Sequence, residues 1–182
     1  MAVERWAIDA SHSGIHFSVR HLVIAKVRGQ FTRWSGELRV PEGDWSKGSV
    51  EVTVDASSID TGVADRDTHL KSADFFDVAT HPEITFKASG LQSKDARDGK
   101  LTGQLTIKGI TRDVVLHVEQ LGQARDPWGN DRAAFSAKTT IDRKEFGLTW
   151  NQVLETGGVM VGDRVDLEIE IQAVRQAVTK VA

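Results

Sequence analysis

The chain has 182 residues, enough to bury a substantial core, and its length predicts a single domain over residues 1–182. Apolar residues make up 40% of it and charged residues 27%, which is typical of a soluble globular protein and excludes a disordered chain. The 23 basic and 26 acidic residues leave a formal charge of -3. Because there is no basic surplus to neutralise phosphates, we expect no nucleic-acid partner.

Cysteine is absent from the sequence. Disulfide bonds, thiolate metal sites and a cysteine nucleophile are therefore excluded. The first nine residues have neither the basic start nor the apolar stretch of a secretory signal, and no transmembrane segment follows. We therefore expect a cytoplasmic location.

Most of the chain alternates apolar and polar residues with a period of two, which predicts half-buried β-strands. The clearest segments are residues 13–21, 27–40, 50–54, 84–88, 101–107, 114–118, 133–141 and 165–171. The second segment changes phase after Phe31, as a bulge or a sharp bend would require. Lys108-Gly109 predicts a hairpin turn, Asp98-Gly99 a turn in a charged loop, and residues 143–147 a single helical turn.

Each of these segments carries an apolar face, which a flat sheet would leave uncovered along with its edges. An antiparallel β-barrel of about eight strands covers both and can enclose a ligand-sized cavity. Gly29, Gly36 and Gly103 lie within strands and favour the barrel, since glycine permits sharp coiling. The pattern therefore predicts an all-β fold, a single antiparallel barrel, with a two-sheet sandwich as the alternative.

The alternation stops over residues 59–86, a stretch that includes the segment just before Phe75. Residues 63–73 contain no glycine or proline and have no period of two, so they predict one short helix. Thr61 or Asp60 would cap its start by accepting a hydrogen bond from a free backbone N–H. A polar helix beside two adjacent phenylalanines suggests a lid over an apolar space, and an ordinary crossover helix is the alternative.

Short motifs recur in one order along the chain. They are Trp6–Asp9 with His12-Ser13, Phe17–His21, Gly29–Phe31 with Trp34–Gly36, Asp65–Leu70 with Ser72 and Asp74–Asp77, Leu101–Gly103 with Leu105–Thr111, and Ile141–Arg143 with Phe146-Gly147. In this order they resemble the YceI-like family, polyisoprenoid-binding proteins with a lipocalin-like barrel. The resemblance runs from about residue 6 to residue 171 and implies an elongated apolar lumen that holds a polyprenyl chain or an isoprenoid quinone. Many members carry a secretory signal, and this chain departs from them there.

A long apolar tail needs a lumen that excludes water, and each buried methylene contributes about 0.8 kcal/mol. The candidate lumen residues are Phe17, Val19, Phe31, Trp34, Phe75, Phe76, Ile84, Phe86, Leu105, Phe135, Leu148 and Trp150. For any one of them, packing in a solid core is the alternative.

A polar head group, whether a pyrophosphate or a quinone carbonyl, needs donors at the mouth of the lumen. Arg66 and His69 lie one turn apart on the predicted helix, and Arg20 and His21 end the first strand segment. We favour Arg66 because a guanidinium suits phosphate oxygens and tolerates partial burial when it is paired. An internal salt bridge from Arg66 to Asp67 or to another carboxylate, with no ligand role, is the alternative.

His12, His16 and His21 lack the regular spacing of a metal site, so we expect no metal and no cofactor. No glycine-rich phosphate loop and no Gly-x-Ser-x-Gly elbow are present. We therefore expect a carrier, storage or sensing protein for a polyisoprenoid lipid rather than an enzyme. A barrel enzyme that acts on an isoprenoid-like substrate is the main alternative, a haem-handling barrel is a third, and a homodimer is left open.

Overall fold

The computed structural model describes residues 2–22, 24–95 and 97–177, which contain twelve β-strands and one α-helix. The strands are β1 (Val3–Ile8), β2 (Gly14–His21), β3 (Ala25–Phe31), β4 (Trp34–Pro41), β5 (Ser49–Asp55), β6 (Ile59–Asp60), β7 (Glu83–Ser89), β8 (Gln92–Ser93), β9 (Asp98–Ile107), β10 (Ile110–Arg125), β11 (Asp131–Asp142) and β12 (Val161–Arg175). The helix, α1, spans Ala64–Lys71. Within these residues, no helix has the length and apolar composition needed to cross a bilayer.

Eight of the strands close into an antiparallel ring in the order β1–β4–β5–β7–β9–β10–β11–β12, and β12 pairs with β1 to complete it. β12 has 15 residues and pairs twice along the same edge, with β1 near its end and with β2 near its start. The β2–β3 hairpin thereby extends one side of the wall. The predicted all-β antiparallel barrel is confirmed, and the sandwich alternative is wrong.

The predicted change of phase after Phe31 is a break between two strands. β3 ends at Phe31 and β4 begins at Trp34, so the two strands follow one bent path along the wall. Nearby, a methyl group on Gly29 would overlap the ring of Phe17 on the neighbouring strand. Glycine here makes room for an aromatic ring, a more specific role than the coiling predicted from sequence.

The predicted turns have three different outcomes. Lys108 and Gly109 both have positive φ, 51° and 74°, and form the confirmed β9–β10 hairpin turn. The helical turn at 143–147 is also confirmed, as a 3-10 turn over Arg143–Phe146 that ends at Gly147 with φ 74°. The turn at Asp98-Gly99 is wrong because both residues begin β9, and residues before them make the turn.

The helix is shorter than the predicted 63–73. Its N-cap is Val63, which makes no side-chain capping bond, so the predicted cap by Thr61 or Asp60 is wrong. The carboxylate of Asp67 instead accepts hydrogen bonds from the backbone N–H and the hydroxyl of Thr61, at 2.9 and 2.5 Å. These bonds tie the helix back to the chain that precedes it.

The two ends of the barrel are closed by different structures. At one end, which we call the tryptophan end, Trp45 from the β4–β5 connection packs against Trp6 and Phe135 with ring centroids 5.1 and 5.0 Å apart. The opposite end, the helix end, carries α1 with the chain up to residue 82, and the β11–β12 connection over residues 143–160. The lumen lies between these two closures.

Candidate ligand-binding lumen

An apolar cavity of about 230 Å³ lies inside the barrel. Trp45 and Phe135 line it at the tryptophan end, and Phe76 and Leu148 line it at the helix end. Alternate residues of β12 from 165 to 171 also line it, a span of about 20 Å along the strand at about 3.3 Å per residue. With a strand tilt near 40°, this is roughly 15 Å along the barrel axis. The cavity is elongated and suits a chain-like ligand better than a compact one.

The wall follows directly from the period-two pattern of the sequence. Strands β10 and β12 show this alternation clearly. In β10 the inward residues are Val114, Leu116 and Val118, and in β12 they are Val165, Leu167, Ile169 and Ile171. The polar residues between them face outward, since successive side chains of a strand point to opposite faces. Alternation therefore produces a hydrocarbon lumen inside a polar outer surface.

Nine of the twelve predicted lumen residues line this cavity. They are Phe17, Phe31, Trp34, Phe76, Ile84, Phe86, Leu105, Phe135 and Leu148. Their role in holding a ligand stays a prediction. Phe17, Phe31 and Phe76 form a continuous aromatic contact, with successive ring centroids 5.7 and 6.0 Å apart.

Val19, Phe75 and Trp150 are not among the residues that line the cavity. Val19 is half-buried in β2 between Val27 and Val165 on the neighbouring strands. Phe75 and Trp150 pack on the ring of His69, with centroids 5.1 and 4.6 Å away. Of the two adjacent phenylalanines after α1, Phe76 is the one that reaches the lumen, because neighbouring residues of the segment point in different directions.

Arg143 is the one ionisable side chain among the described residues that line the cavity. It is only 3% exposed. Its guanidinium donates to the carbonyl oxygens of Leu148, Trp150, Gly162 and Val161 at 2.5, 2.9, 2.8 and 3.3 Å. Burial lowers the pKa of Arg143 below its ordinary value, an effect that the nearby Asp163 opposes. The side chain therefore joins both ends of the β11–β12 connection.

The alternation of β11 is a sequence signal that Arg143 faces the lumen, although Arg143 is not among the predicted lumen residues. The inward phase of β11 runs through Ala137, Thr139 and Ile141, and the next position in that phase is 143. Trp45 had no such signal, since it lies in the turn material between β4 and β5. Only the closed ring brings that turn across the lumen.

Arg66 is committed to local structure. Its Nε donates to the Thr61 hydroxyl at 2.7 Å, and its Nη2 donates to the Thr61 carbonyl oxygen at 2.7 Å. The expected alternative, a salt bridge between Arg66 and Asp67, is not formed, because Thr61 lies between them and bonds to both. Arg66 does not line the cavity.

The other three predicted head-group residues lie at the helix end without lining the cavity. His69 Nε2 lies 2.9 Å from Asp74 Oδ2. Arg20 and His21 end β2, and Arg20 is exposed. The structure thus brings two of the four candidates to α1 and two to the β2–β3 hairpin, and their ligand role stays a prediction.

The histidines near the start of the chain also differ in their surroundings. His12 Nδ1 lies 2.8 Å from Asp9 Oδ2, while His16 is exposed on β2. In the described part of the chain, no group of three or more histidine, aspartate or glutamate residues is arranged to hold a metal ion. The expectation of no metal stays a prediction for elemental analysis.

The model of the YceI-like domain matches residues 6–173. This chain belongs to the YceI-like family. The resemblance found in the sequence motifs is therefore confirmed. The matched residues run from β1 to the end of β12, so the ring and its cavity lie within the YceI-like domain.

Two curated relatives show how similar this YceI-like chain is to others. It is 38% identical over 168 residues to a UPF0312 protein of Pectobacterium carotovorum, and the match covers 92% of this chain and 84% of the relative. It is 34% identical over 168 residues to the protein YceI of Escherichia coli, with the same coverage.

Three solved structures share the YceI-like fold. The Campylobacter jejuni YceI protein matches with a TM-score of 0.75 and 30% identity over 87% of this chain and 90% of that one. BcnA of Burkholderia cenocepacia matches with a TM-score of 0.79 and 22% identity, over 91% and 98% of the two chains. A polyisoprenoid binding domain of Saccharophagus degradans matches with a TM-score of 0.66 and 14% identity, over 94% and 98%.

Proposed function

We propose that this chain binds one isoprenoid lipid, with the prenyl chain extended along the barrel axis inside the cavity. The observation that carries the proposal is the elongated hydrocarbon lumen between Trp45 and Phe76. Burying a five-carbon prenyl unit there contributes about 4 kcal/mol, at roughly 0.8 kcal/mol per methylene, before the cost of ordering the chain. The likeness to a solved polyisoprenoid binding domain supports the same ligand class.

Of the two head groups considered, an uncharged quinone suits this chain better than a pyrophosphate. Arg143 is the one ionisable lining residue among those described, and four backbone carbonyls already accept its hydrogen bonds. Arg66 is bonded to Thr61. A buried pyrophosphate would need unoccupied cationic partners, because an unpaired buried charge is costly.

The role that follows is to hold the lipid and release it chemically unchanged, as a carrier, a store or a sensor. An enzyme that alters an isoprenoid-like substrate is the alternative. The two roles differ in whether the mass of the bound molecule changes during incubation. The cytoplasmic location and the homodimer stay predictions.

The test compares two neighbouring valines of β10 that face opposite sides of the wall. Val114 lines the cavity, whereas Val115 is 41% exposed on the outer surface. Val114→Trp fills the lumen and should weaken binding of an isoprenoid quinone at least tenfold, measured by quenching of tryptophan fluorescence. Val115→Trp is the matched control and should bind as the parent chain does. Equal binding by both variants would exclude the lumen as the site.

The same assay tests the head group. A quinone and a polyprenyl pyrophosphate of equal tail length are titrated into the parent chain, and mass spectrometry of the recovered ligand follows. We expect tighter binding of the quinone and recovery of both ligands at their original mass. Tighter binding of the pyrophosphate would contradict the uncharged head group, and a changed mass would favour the enzyme.

A further inference from the structure

The turn of the β2–β3 hairpin is unusually apolar. Leu22 and Ile24 lie between β2 and β3, where turns normally carry glycine, asparagine, aspartate or proline. Leu22 adopts a positive φ of 53°, a conformation that costs a leucine energy. Ile24 is 88% exposed and Leu22 is 41% exposed. The hairpin therefore presents large apolar side chains to the surroundings at an energetic cost.

A second loop lies beside this turn, and it exposes two valines together with Glu155. The backbone N–H of Leu22 donates to the carbonyl oxygen of Met160 at 2.9 Å, which joins the hairpin to the β11–β12 connection. Within that connection Val153 and Val159 pair across a short loop, and they are 78% and 41% exposed. Leu22, Ile24, Val153 and Val159 are the exposed apolar residues of these two joined loops at the helix end, and we call them the apolar tip.

Basic side chains lie next to the apolar tip, on the outer face of the β2–β3 hairpin. Arg20 and Lys26 are cross-strand partners, Arg28 is the next residue on the same face, and all three are exposed. None of the three forms a salt bridge within residues 2–22, 24–95 and 97–177. Like charges placed opposite each other destabilise a hairpin, and an approaching anionic surface would relieve that repulsion.

The exposed apolar side chains at the tryptophan end differ in this respect. Trp128 is 82% exposed in the β10–β11 loop. The arginines beside it are paired, Arg125 with Asp131 at 3.0 Å and Arg132 with Asp126 at 2.8 Å. Exposure of apolar residues alone does not distinguish the two ends, but the combination of an apolar tip with a row of cations does.

We propose that the apolar tip docks this chain on the surface of an anionic lipid bilayer. Apolar side chains inserted at the headgroup boundary, with basic residues above them, match the chemistry of interfacial binding. The tip lies at the same end as Phe76, and β12 runs from it at Val161 into the cavity wall at Val165. Docking would therefore bring the helix end of the cavity next to the membrane. The proposal stands apart from the identity of any bound lipid.

The test is sedimentation of the full chain with vesicles made of phosphatidylcholine, with or without 30–40% phosphatidylglycerol. We expect binding to the anionic vesicles, little binding to the neutral ones, and loss of binding as salt is raised, since salt screens surface charge. Ile24→Asp combined with Val153→Asp should weaken partitioning at least tenfold. Trp128→Asp is the matched control at the tryptophan end and should have no effect.

Charge is tested separately from the apolar tip. Arg20→Glu with Lys26→Glu should abolish the preference for anionic vesicles, whereas Lys87→Glu, an exposed change on β7, should not. Circular dichroism checks that each variant is folded. Equal binding to neutral vesicles, loss through Trp128→Asp, or no vesicle binding by the parent chain would each overturn the proposal. So would a dimer, seen by analytical ultracentrifugation, that Ile24→Asp with Val153→Asp separates while vesicle binding is unchanged.

Discussion

At the tryptophan end, packed aromatic rings close the barrel and several charged groups outside them are paired. At the helix end, one buried arginine holds a long connection in place. Arg132 bridges Asp9 and Asp126 at 3.0 and 2.8 Å, and Arg175 pairs with Glu4 at 2.9 Å. Hydrogen bonds hold the pKa values of the Asp9 and Asp126 carboxyls well below their usual range, chiefly from Ser11 for Asp9 and from Arg132 for Asp126.

The helix end depends on backbone contacts from single side chains. Arg143 donates to two carbonyls of the β11–β12 connection and to two at the start of β12, and Arg66 and Asp67 bond to Thr61. Such contacts keep the connection in place without a continuous aromatic layer. The difference indicates that one end contributes mainly to global stability, while the other combines local closure with exposed apolar and basic surface. Ligand exchange is therefore expected at the helix end.

The largest expected effect comes from breaking the tryptophan end. Trp6 is 4% exposed and packs on Trp45. Trp6→Ala should lower the free energy of unfolding by about 3–5 kcal/mol, the usual range for emptying a buried aromatic site. Urea unfolding followed by circular dichroism measures this. Trp128→Ala, at an exposed position, is the control and should change stability by less than about 0.5 kcal/mol.

Replacement of the buried Arg143 at the helix end should lower the free energy of unfolding almost as much. Arg143→Met keeps an apolar stem of similar length but leaves buried carbonyl oxygens without donors, a cost of about 2–4 kcal/mol. Hydrogen exchange should speed up over residues 148–162 more than in the ring strands. A uniform increase across the whole barrel would show that Arg143 acts on global stability and would remove the distinction between the two ends.

Two phenylalanines, one at each end of the cavity, allow ligand release at the two ends to be compared. Phe76 and Phe135 are both half-buried and both line the cavity, at opposite ends. Each change to alanine should cost about 1–3 kcal/mol, somewhat below the range for fully buried aromatic residues. Stopped-flow measurement of ligand release should show a faster rate for Phe76→Ala than for Phe135→Ala. Faster release from Phe135→Ala would place the exchange route at the tryptophan end.

The smallest expected effect is electrostatic and lies on the β1–β4 wall. Hydrogen bonds from Arg5 and then Arg39 lower the pKa of Glu37 from 4.5 to about 2. Between these values the unfolded chain binds more protons, so this contribution to stability is complete above about pH 4.5 and is lost as pH falls toward 2.

Thermal unfolding from pH 6 to pH 2 measures the contribution of Glu37. Glu37→Gln should make the melting temperature fall less steeply as the pH is lowered. The double change of Arg5 and Arg39 to methionine should reduce the steepness of this fall by the same amount. A fall that is identical in all three proteins would contradict a role for this cluster.

The sequence by itself determined the local features of this protein, because they depend on neighbouring residues. Alternation is enough to place Leu116 and Ile169 on the apolar faces of their strands without knowledge of the strand pairing. The Lys108-Gly109 dipeptide likewise predicts its turn. The same phase also extends to position 143. The shared order of the motifs was enough to predict the family and the barrel.

Tertiary structure decided the features that join residues distant in sequence. Ring closure places Trp45, from a turn, across the lumen, and the pairing of β2 with β12 brings Leu22 beside Met160. The bonds from Arg66 to Thr61 are local, but they depend on how α1 folds back on the chain that precedes it. Local pattern records which face of a strand is apolar, but it carries no information on which loops meet at each end, since that depends on strand order and register around the closed barrel.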